Sequence, residues 1–275
     1  MKKFIQVLIT AVVGTIILLP FTHSKSIYGE EAVRIGVVSE YEEEVWKTVV
    51  KKAEAEGIKI EIVLFNDYVQ PNVALADGSL DLNAFQHVEF LNEWNEANNG
   101  DLQALGYTYV APLKIYSDKI NSIEEVKEGD ILAIPNDATN GGRALLAFEQ
   151  AGLIEVDDKA GVLPTVKDIT NNPKNIEFKE LEAGQLVLVL PDVAAAAINN
   201  NFVIDAGLTE DQAIFNDAEE ISKLSESYKN IIACRPEDKE NPTFLKILDL
   251  YQSKETAEKL AEISDGADVP AWEAK

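Results

Sequence analysis

The segment Asp130-Ile-Leu-Ala-Ile-Pro-Asn-Asp-Ala-Thr-Asn-Gly-Gly-Arg143 holds residue types suited to binding an anion. Arg143 offers a planar fork of donors that matches a carboxylate or a phosphate. Gly141 and Gly142 just before it let a ligand approach the backbone. The apolar run Ile131, Leu132, Ile134 predicts a buried strand, and Pro135, Asn136 and Asp137 break it. A helix is predicted from there through Leu145, Leu146 and Phe148 to Gly152, capped by Thr139 or Asn140. Unpaired N–H groups at a helix start also attract an anion. A packing role for the glycines, with Arg143 as a surface charge, fits this stretch equally well.

Other side chains with chemistry gather where strands are predicted to end. Phe65-Asn66-Asp67-Tyr68 follows one strand, and Phe85-Gln86-His87 follows the next, with Phe90 one helical turn further on. Tyr107, Tyr109 and Pro112 close a later strand. Aromatic residues on one rim suit an apolar ligand, although any single one of them is more simply read as packing. Asn199, Asn200, Asn201 and Asn230 also fall at strand ends, where asparagine usually forms turns. As a set facing one cleft they suit the polar head of a zwitterion.

Catalytic signatures are weak. The two histidines are His23 and His87, so a Ser–His–acid triad would have to use His87, and no nucleophile elbow, phosphate loop or zinc motif marks a partner. No cofactor and no metal is expected. The net charge of −24 argues against nucleic acid and against an anionic membrane surface as partners. The single cysteine, Cys234, allows no internal disulfide and sits in the apolar run Asn230-Ile-Ile-Ala-Cys, where a buried inert thiol is expected.

These residues need a scaffold, and the hydrophobic pattern supplies one. Residues 1–29 read as an export signal or anchor: Lys2 and Lys3 precede an apolar run from Phe4 to Phe21, with Pro20 near its end and small residues after it. Strands then alternate with helices. Val33–Val38, Ile58–Leu64, Leu80–Phe85 and Leu102–Val110 are predicted strands, and the intervening helices include one opened by Ser39 and Glu42 at capping-box spacing. The rhythm restarts after Pro112. It continues through strands at Ile176–Leu181, Val193–Ile198 and Tyr228–Cys234 and ends in two helices, the first opened by Asn241-Pro242. Two alternating units without a flexible linker predict an α/β protein with mostly parallel sheets and a ligand cleft between two lobes.

Taken together, Phe65–Tyr68, Asn83–His87, Pro135–Arg143, Gly161–Thr165, Asn172–Asn175, Ile198-Asn199 and Tyr228–Asn230 resemble, in order, the methionine-binding proteins of bacterial ABC importers, the NlpA family of lipoproteins. The similarity runs from Val33 to Trp272. The resemblance implies a two-lobe periplasmic-binding-protein fold of type II that closes on its ligand. One lobe is expected from residues 32–109 plus 235–275 and the other from 110–234. The implied cargo is L-methionine or a close analogue, delivered to an ABC permease with its ATPase by a monomeric, exported protein with no enzymatic activity. Tyr68, Phe85, His87, Phe90 and Tyr109 would surround the side chain, Arg143 and Asn140 would hold the carboxylate, and Asn199 and Asn230 the rest of the head group. A different apolar amino acid or a methionine dipeptide is the alternative cargo, and a surface adhesin or sensor the alternative class.

Three features depart from the family pattern. No lipid-attachment cysteine follows the apolar segment, where Lys25 and Ser26 stand instead, so the chain is expected at the outer face of the membrane, held by its uncleaved segment or released. Phe90 stands where many members have tyrosine. Gly184–Leu190 is more apolar than the short helix expected there.

Overall fold

A computed structural model describes residues 31–209, 212–218 and 225–272. The segment 1–29, read as a signal or anchor, lies outside the described residues. Among the described residues, no helix is long and apolar enough to cross a membrane.

The chain begins with β1 (Val33–Val37), α1 (Glu40–Ala55), β2 (Ile60–Leu64), α2 (Gln70–Ala76), β3 (Leu82–His87), α3 (Val88–Asn98) and β4 (Gln103–Val110). It crosses at Ala111-Pro112 into β5 (Leu113–Tyr116), β6 (Ile131–Pro135), α4 (Ala138–Gln150), β7 (Glu155–Val156), β8 (Ile169–Asn171), β9 (Glu177–Leu181), β10 (Ala195–Asn199), α5 (Asn200–Asp205) and β11 (Ala213–Asn216). It then returns through β12 (Lys229–Cys234), α6 (Pro242–Tyr251), α7 (Lys254–Ile263) and β13 (Val269–Pro270).

Two large sheets result, ordered β2-β1-β3-β12-β4-β13 and β9-β6-β10-β5-β11, beside a two-stranded sheet of β7 and β8, which makes this a mixed α/β protein of two lobes. In the first lobe, Tyr41, Val45, Trp46, Val49 and Ala53 of α1 recur at helical spacing and cover Ile35 and Val37 of β1, with Phe244, Ile247 and Leu260 closing the same core. In the second, Ala144, Leu145 and Phe148 of α4 pack on Leu132 and Ile134 of β6.

The sheets are less parallel than the alternating pattern predicts. β1 is parallel to β2 and β3, and β6 to β9 and β10, but β12 is antiparallel to both β3 and β4, and β5 to both β10 and β11. The position of β12 corrects the expected boundary. A second lobe spanning 110–234 includes this strand, yet it pairs inside the first sheet. Ile231, Ile232, Ala233 and Cys234 are all fully buried, so both faces of β12 need cover, and a slot between β3 and β4 supplies it. The return crossing therefore precedes Lys229. Asn199 ends β10, and Asn200 and Asn201 open α5.

Candidate functional site

Every residue named for the ligand from sequence lines one cavity between the lobes. Tyr68, Phe85, His87, Phe90, Tyr109 and Asn230 face it from the first lobe, and Asn140, Arg143 and Asn199 from the second. Gln86, Ala111, Pro112, Asn200, Asn201 and Tyr228 complete the wall. The non-atom space between these residues amounts to about 470 Å³, part of it open to solvent.

One end is aromatic. Tyr68 lies 5.7 Å from Phe85 and 5.9 Å from Phe90, and those two rings meet edge to face at 5.8 Å. Phe202 backs Tyr68 at 5.3 Å. The Tyr68 hydroxyl crosses the cleft and donates to Asn201 Oδ1 at 2.8 Å. The Tyr109 hydroxyl points away from the cleft and donates to Glu42 Oε1 at 2.9 Å. Glu42 keeps only half of its expected capping box. Its backbone N–H is capped by Ser39 Oγ, but its carboxylate accepts from Val38 N and Tyr109 instead of reaching back to Ser39. Burial pushes that carboxyl up to about 7.

The polar end is built around α4. Asp137, not Thr139 or Asn140, caps this helix, its Oδ1 accepting from Asn140 N at 2.8 Å. Asp137 is the residue in extended conformation just before the first helical turn, and a cap must sit there. The glycines lie one turn inside the helix, and the Gly141 N–H already donates to Asp137 O. A side chain at Gly141 would meet Pro135 O at 2.7 Å, and one at Gly142 would meet Leu163 Cα at 3.1 Å and both Val162 O and the Pro164 ring at 3.2 Å. The glycines therefore serve packing, and no helix-end anion cradle forms.

Arg143 is the cation that does face the cavity. Its Nε donates to Asp217 Oδ2 at 2.6 Å, and Nη2 donates to Ala111 O at 3.1 Å. The guanidinium lies 4.5 Å from the centre of the Tyr228 ring. Arg143 and Asp217 side chains are only 7% and 8% exposed, so this is a buried, paired charge. Arg143 lines the cavity and has further N–H donors beyond the two used by Asp217 and Ala111.

His87 is neutral. Its Nδ1 accepts the Phe90 N–H at 3.1 Å and caps α3, so its proton sits on Nε2, 3.4 Å from Asn140 Oδ1. Burial, with the Arg143 charge second, pushes its pKa down to about 3. Asn140 Oδ1 also accepts from Asn199 Nδ2 at 2.9 Å. Asn199 Oδ1 and Asn201 Nδ2 are buried without a hydrogen-bond partner among the described residues, an acceptor and a donor on the same wall.

Asp217, Tyr228 and Asp137 were not assigned a site role from sequence, and Asn201 was named only within the asparagine set. Asp217 lies 74 residues from Arg143, just past β11, and carries no local signal. Tyr228 and Asn201 sit in stretches whose neighbours were assigned, so adjacency pointed to them. Asp137 was visible as a cap-type residue in the breaker before the helix. The apolar Gly184–Leu190 segment forms two short 3₁₀ turns that bury Leu186 and Leu190 and expose Leu188.

The family model described as NlpA lipoprotein matches residues 33–272. The D-methionine-binding lipoprotein MetQ of Escherichia coli K12 is 39% identical over 245 residues, covering 87% of this chain and 88% of the relative. A nutrient-binding protein from Burkholderia cenocepacia, solved bound to methionine, superposes with a TM-score of 0.83 at 38% identity, covering 88% of this chain and all of the other. The substrate-binding protein of a methionine transporter from Streptococcus pneumoniae gives 0.82 at 37% identity, covering 88% and 96%. With its two-lobe periplasmic-binding fold, this chain belongs to the NlpA lipoprotein family.

Proposed function

We propose that this chain is the substrate-binding component of an ABC importer and that its cargo is methionine. The observation that carries this reading is the buried, paired Arg143, which keeps further donors and lines a cavity whose far end is aromatic. A ligand with a carboxylate at one end and an apolar, polarizable tail at the other matches both ends. The carboxylate pairs with Arg143, because a buried anion needs a fixed cation. The ammonium goes to Asn199 Oδ1, an acceptor with no other donor among the described residues, with Asn230 beside it. The thioether lies among Tyr68, Phe85 and Phe90, with the His87 and Tyr109 rings beside them, since sulfur favours aromatic edges. Asn140 holds Asn199 and His87 more than it holds the ligand.

The partner follows from the role: a permease with its ATPase, met by a monomeric protein at the outer face of the membrane. The relatives named as lipoproteins support that location. The chain has no cysteine beside the apolar N-terminal segment, so its attachment is through that segment or absent. The site needs no cofactor, and the function involves no bond making.

The test is calorimetry on protein that has been unfolded, dialysed and refolded to remove any carried ligand. L-Methionine, D-methionine, leucine and a methionine dipeptide are titrated in turn. Saturable binding of methionine, tighter than that of leucine, is expected. Binding of none of the four overturns the proposal, and tighter binding of leucine or of the dipeptide reassigns the cargo.

A further inference from the structure

The cavity wall has a built-in polarity that can be traced to one carboxylate. Asp137 is buried and is surrounded by donors. Its oxygens accept from Asn140 N, Thr139 Oγ1 and, at 3.0 and 3.1 Å, from Asn140 Nδ2. A carboxylate offers acceptors alone, so the Asn140 amide has one orientation: NH₂ toward Asp137, oxygen toward the cleft. That oxygen then requires a donor from its neighbour, and Asn199 turns Nδ2 to it at 2.9 Å. Asn199 is left with Oδ1 on its other side, buried and without a partner among the described residues. His87 joins in the same sense, since its proton is on Nε2 and faces Asn140 Oδ1. Asn140 and Asn199 therefore take their orientation from Asp137, which itself is not in the cavity wall.

We propose that Asp137 is a positioning residue that makes the site select a ligand carrying an amine beside its carboxylate. It acts through Asn140 and Asn199, and the proposal rests on the amino-acid reading given above. An ammonium is a donor with no lone pair to offer, so it demands an acceptor at Asn199. A hydroxyl at the same carbon donates or accepts and is indifferent to the orientation of that amide. The hydroxy analogue of methionine, 2-hydroxy-4-(methylthio)butanoate, keeps the carboxylate and the thioether and therefore isolates this one contact.

Asp137→Asn is the informative change. Asparagine keeps an oxygen for the helix cap. Its NH₂ would replace one of the two oxygens that Asn140 Nδ2 reaches, at 3.0 and 3.1 Å, leaving that amide one acceptor and one opposing donor. Asn140 is then no longer held to one orientation; where it turns over, Asn199 follows, and an NH₂ group faces the ligand ammonium. Adding Asn199→Asp restores an acceptor toward the ligand whichever way Asn140 lies.

The experiment measures methionine and its hydroxy analogue by calorimetry on refolded wild type, D137N and D137N/N199D, with circular dichroism to establish that each is folded. Wild type is expected to prefer methionine by tenfold or more. In D137N that preference falls at least tenfold, chiefly through weaker methionine binding, and in the double variant it returns. A merely structural role for Asp137 would weaken both ligands alike and would not be rescued at Asn199. Unchanged preference in D137N, equal loss for both ligands, or no return in the double variant overturns the proposal while the amino-acid reading stands. Wild type that binds neither ligand overturns both.

Discussion

Replacing Arg143 by alanine removes the ion pair to Asp217, the hydrogen bond to Ala111 O and the contact with the Tyr228 ring. The larger consequence falls on Asp217, left charged and buried. Breaking a buried pair from one side costs about 3–5 kcal/mol. Lys114 lies close enough to interact with the Asp217 charge, so the loss is expected near the lower end, about 3 kcal/mol. For a body of this size that lowers Tm by roughly 6–12 °C. Adding Asp217→Asn removes the orphaned charge and keeps an oxygen for the Leu113 N–H, which Asp217 Oδ1 accepts at 2.9 Å. About half of the lost stability should return. Methionine affinity should not. Two charge-assisted hydrogen bonds to a carboxylate are worth at least ~3 kcal/mol together, or about a hundredfold in Kd, and both variants lack them. Thermal melts of the ligand-free proteins and calorimetry with methionine separate the two effects. The reasoning fails if the double variant melts no higher than R143A, or if either variant binds methionine within tenfold of wild type.

Other consequences are equally direct. Glu42 is held at about 7 by burial, against 4.5 ordinarily, so between those values the folded chain keeps a proton that the unfolded chain has released, and stability falls as pH rises through that window. E42Q stays neutral throughout, so its loss of stability from pH 4.5 to 7 should be smaller by up to about 3 kcal/mol in urea melts; equal slopes for the two proteins would count against this. Gly141→Ala sets a Cβ 2.7 Å from Pro135 O and should cost ~1–3 kcal/mol in stability, while methionine Kd in the folded fraction stays within threefold. A selective loss of affinity would instead return the glycine to the ligand. Phe90→Ala removes a ring from the aromatic end and opens the cavity toward the groove beside Trp94, Ala97 and Ala138. Methionine should bind about tenfold more weakly, and 2-aminooctanoate should gain on methionine in competition assays.

The sequence was most informative where local rules decide. Helix α1 with its Ser39 cap, α6 with Asn241 before Pro242, and the apolar strands β1 and β6 form where pattern and capping chemistry put them. It was least informative where partners are distant. An apolar run such as Ile231–Cys234 announces a buried strand, but nothing in it says that its neighbours are β3 and β4, more than a hundred residues upstream. The same holds for Arg143, whose type and place were legible while Asp217 was not. Asn199–Asn201 shows a third kind of limit. Asparagine favours turns, yet here tertiary partners, Asp268 for Asn200 and Tyr68 for Asn201, hold the run at a helix start. Gly141 and Gly142 were ambiguous for a different reason: a glycine has the same letter whether a ligand or a neighbouring strand comes close.

In a chain of net charge −24, the described cavity wall carries Arg143 and no acid. The acids stand one layer back, with Asp217 behind Arg143, Asp137 behind Asn140 and Glu42 behind Tyr109. A carboxylate in the wall itself would compete with the ligand's own carboxylate for the guanidinium. Set behind, each acid orients a donor or an amide without facing the ligand. Arg143 has a further consequence for motion, because it touches both places where the chain passes between lobes: Ala111 at the first crossing, and Tyr228 at the second. The cross-cleft bonds from Tyr68 to Asn201 and from His87 to Asn140 join the lobes on either side of it. A carboxylate that fixes Arg143 therefore also fixes both crossings. Its binding free energy depends on the closed arrangement, and that differential is what a ligand must supply to shift a two-lobe protein toward closure.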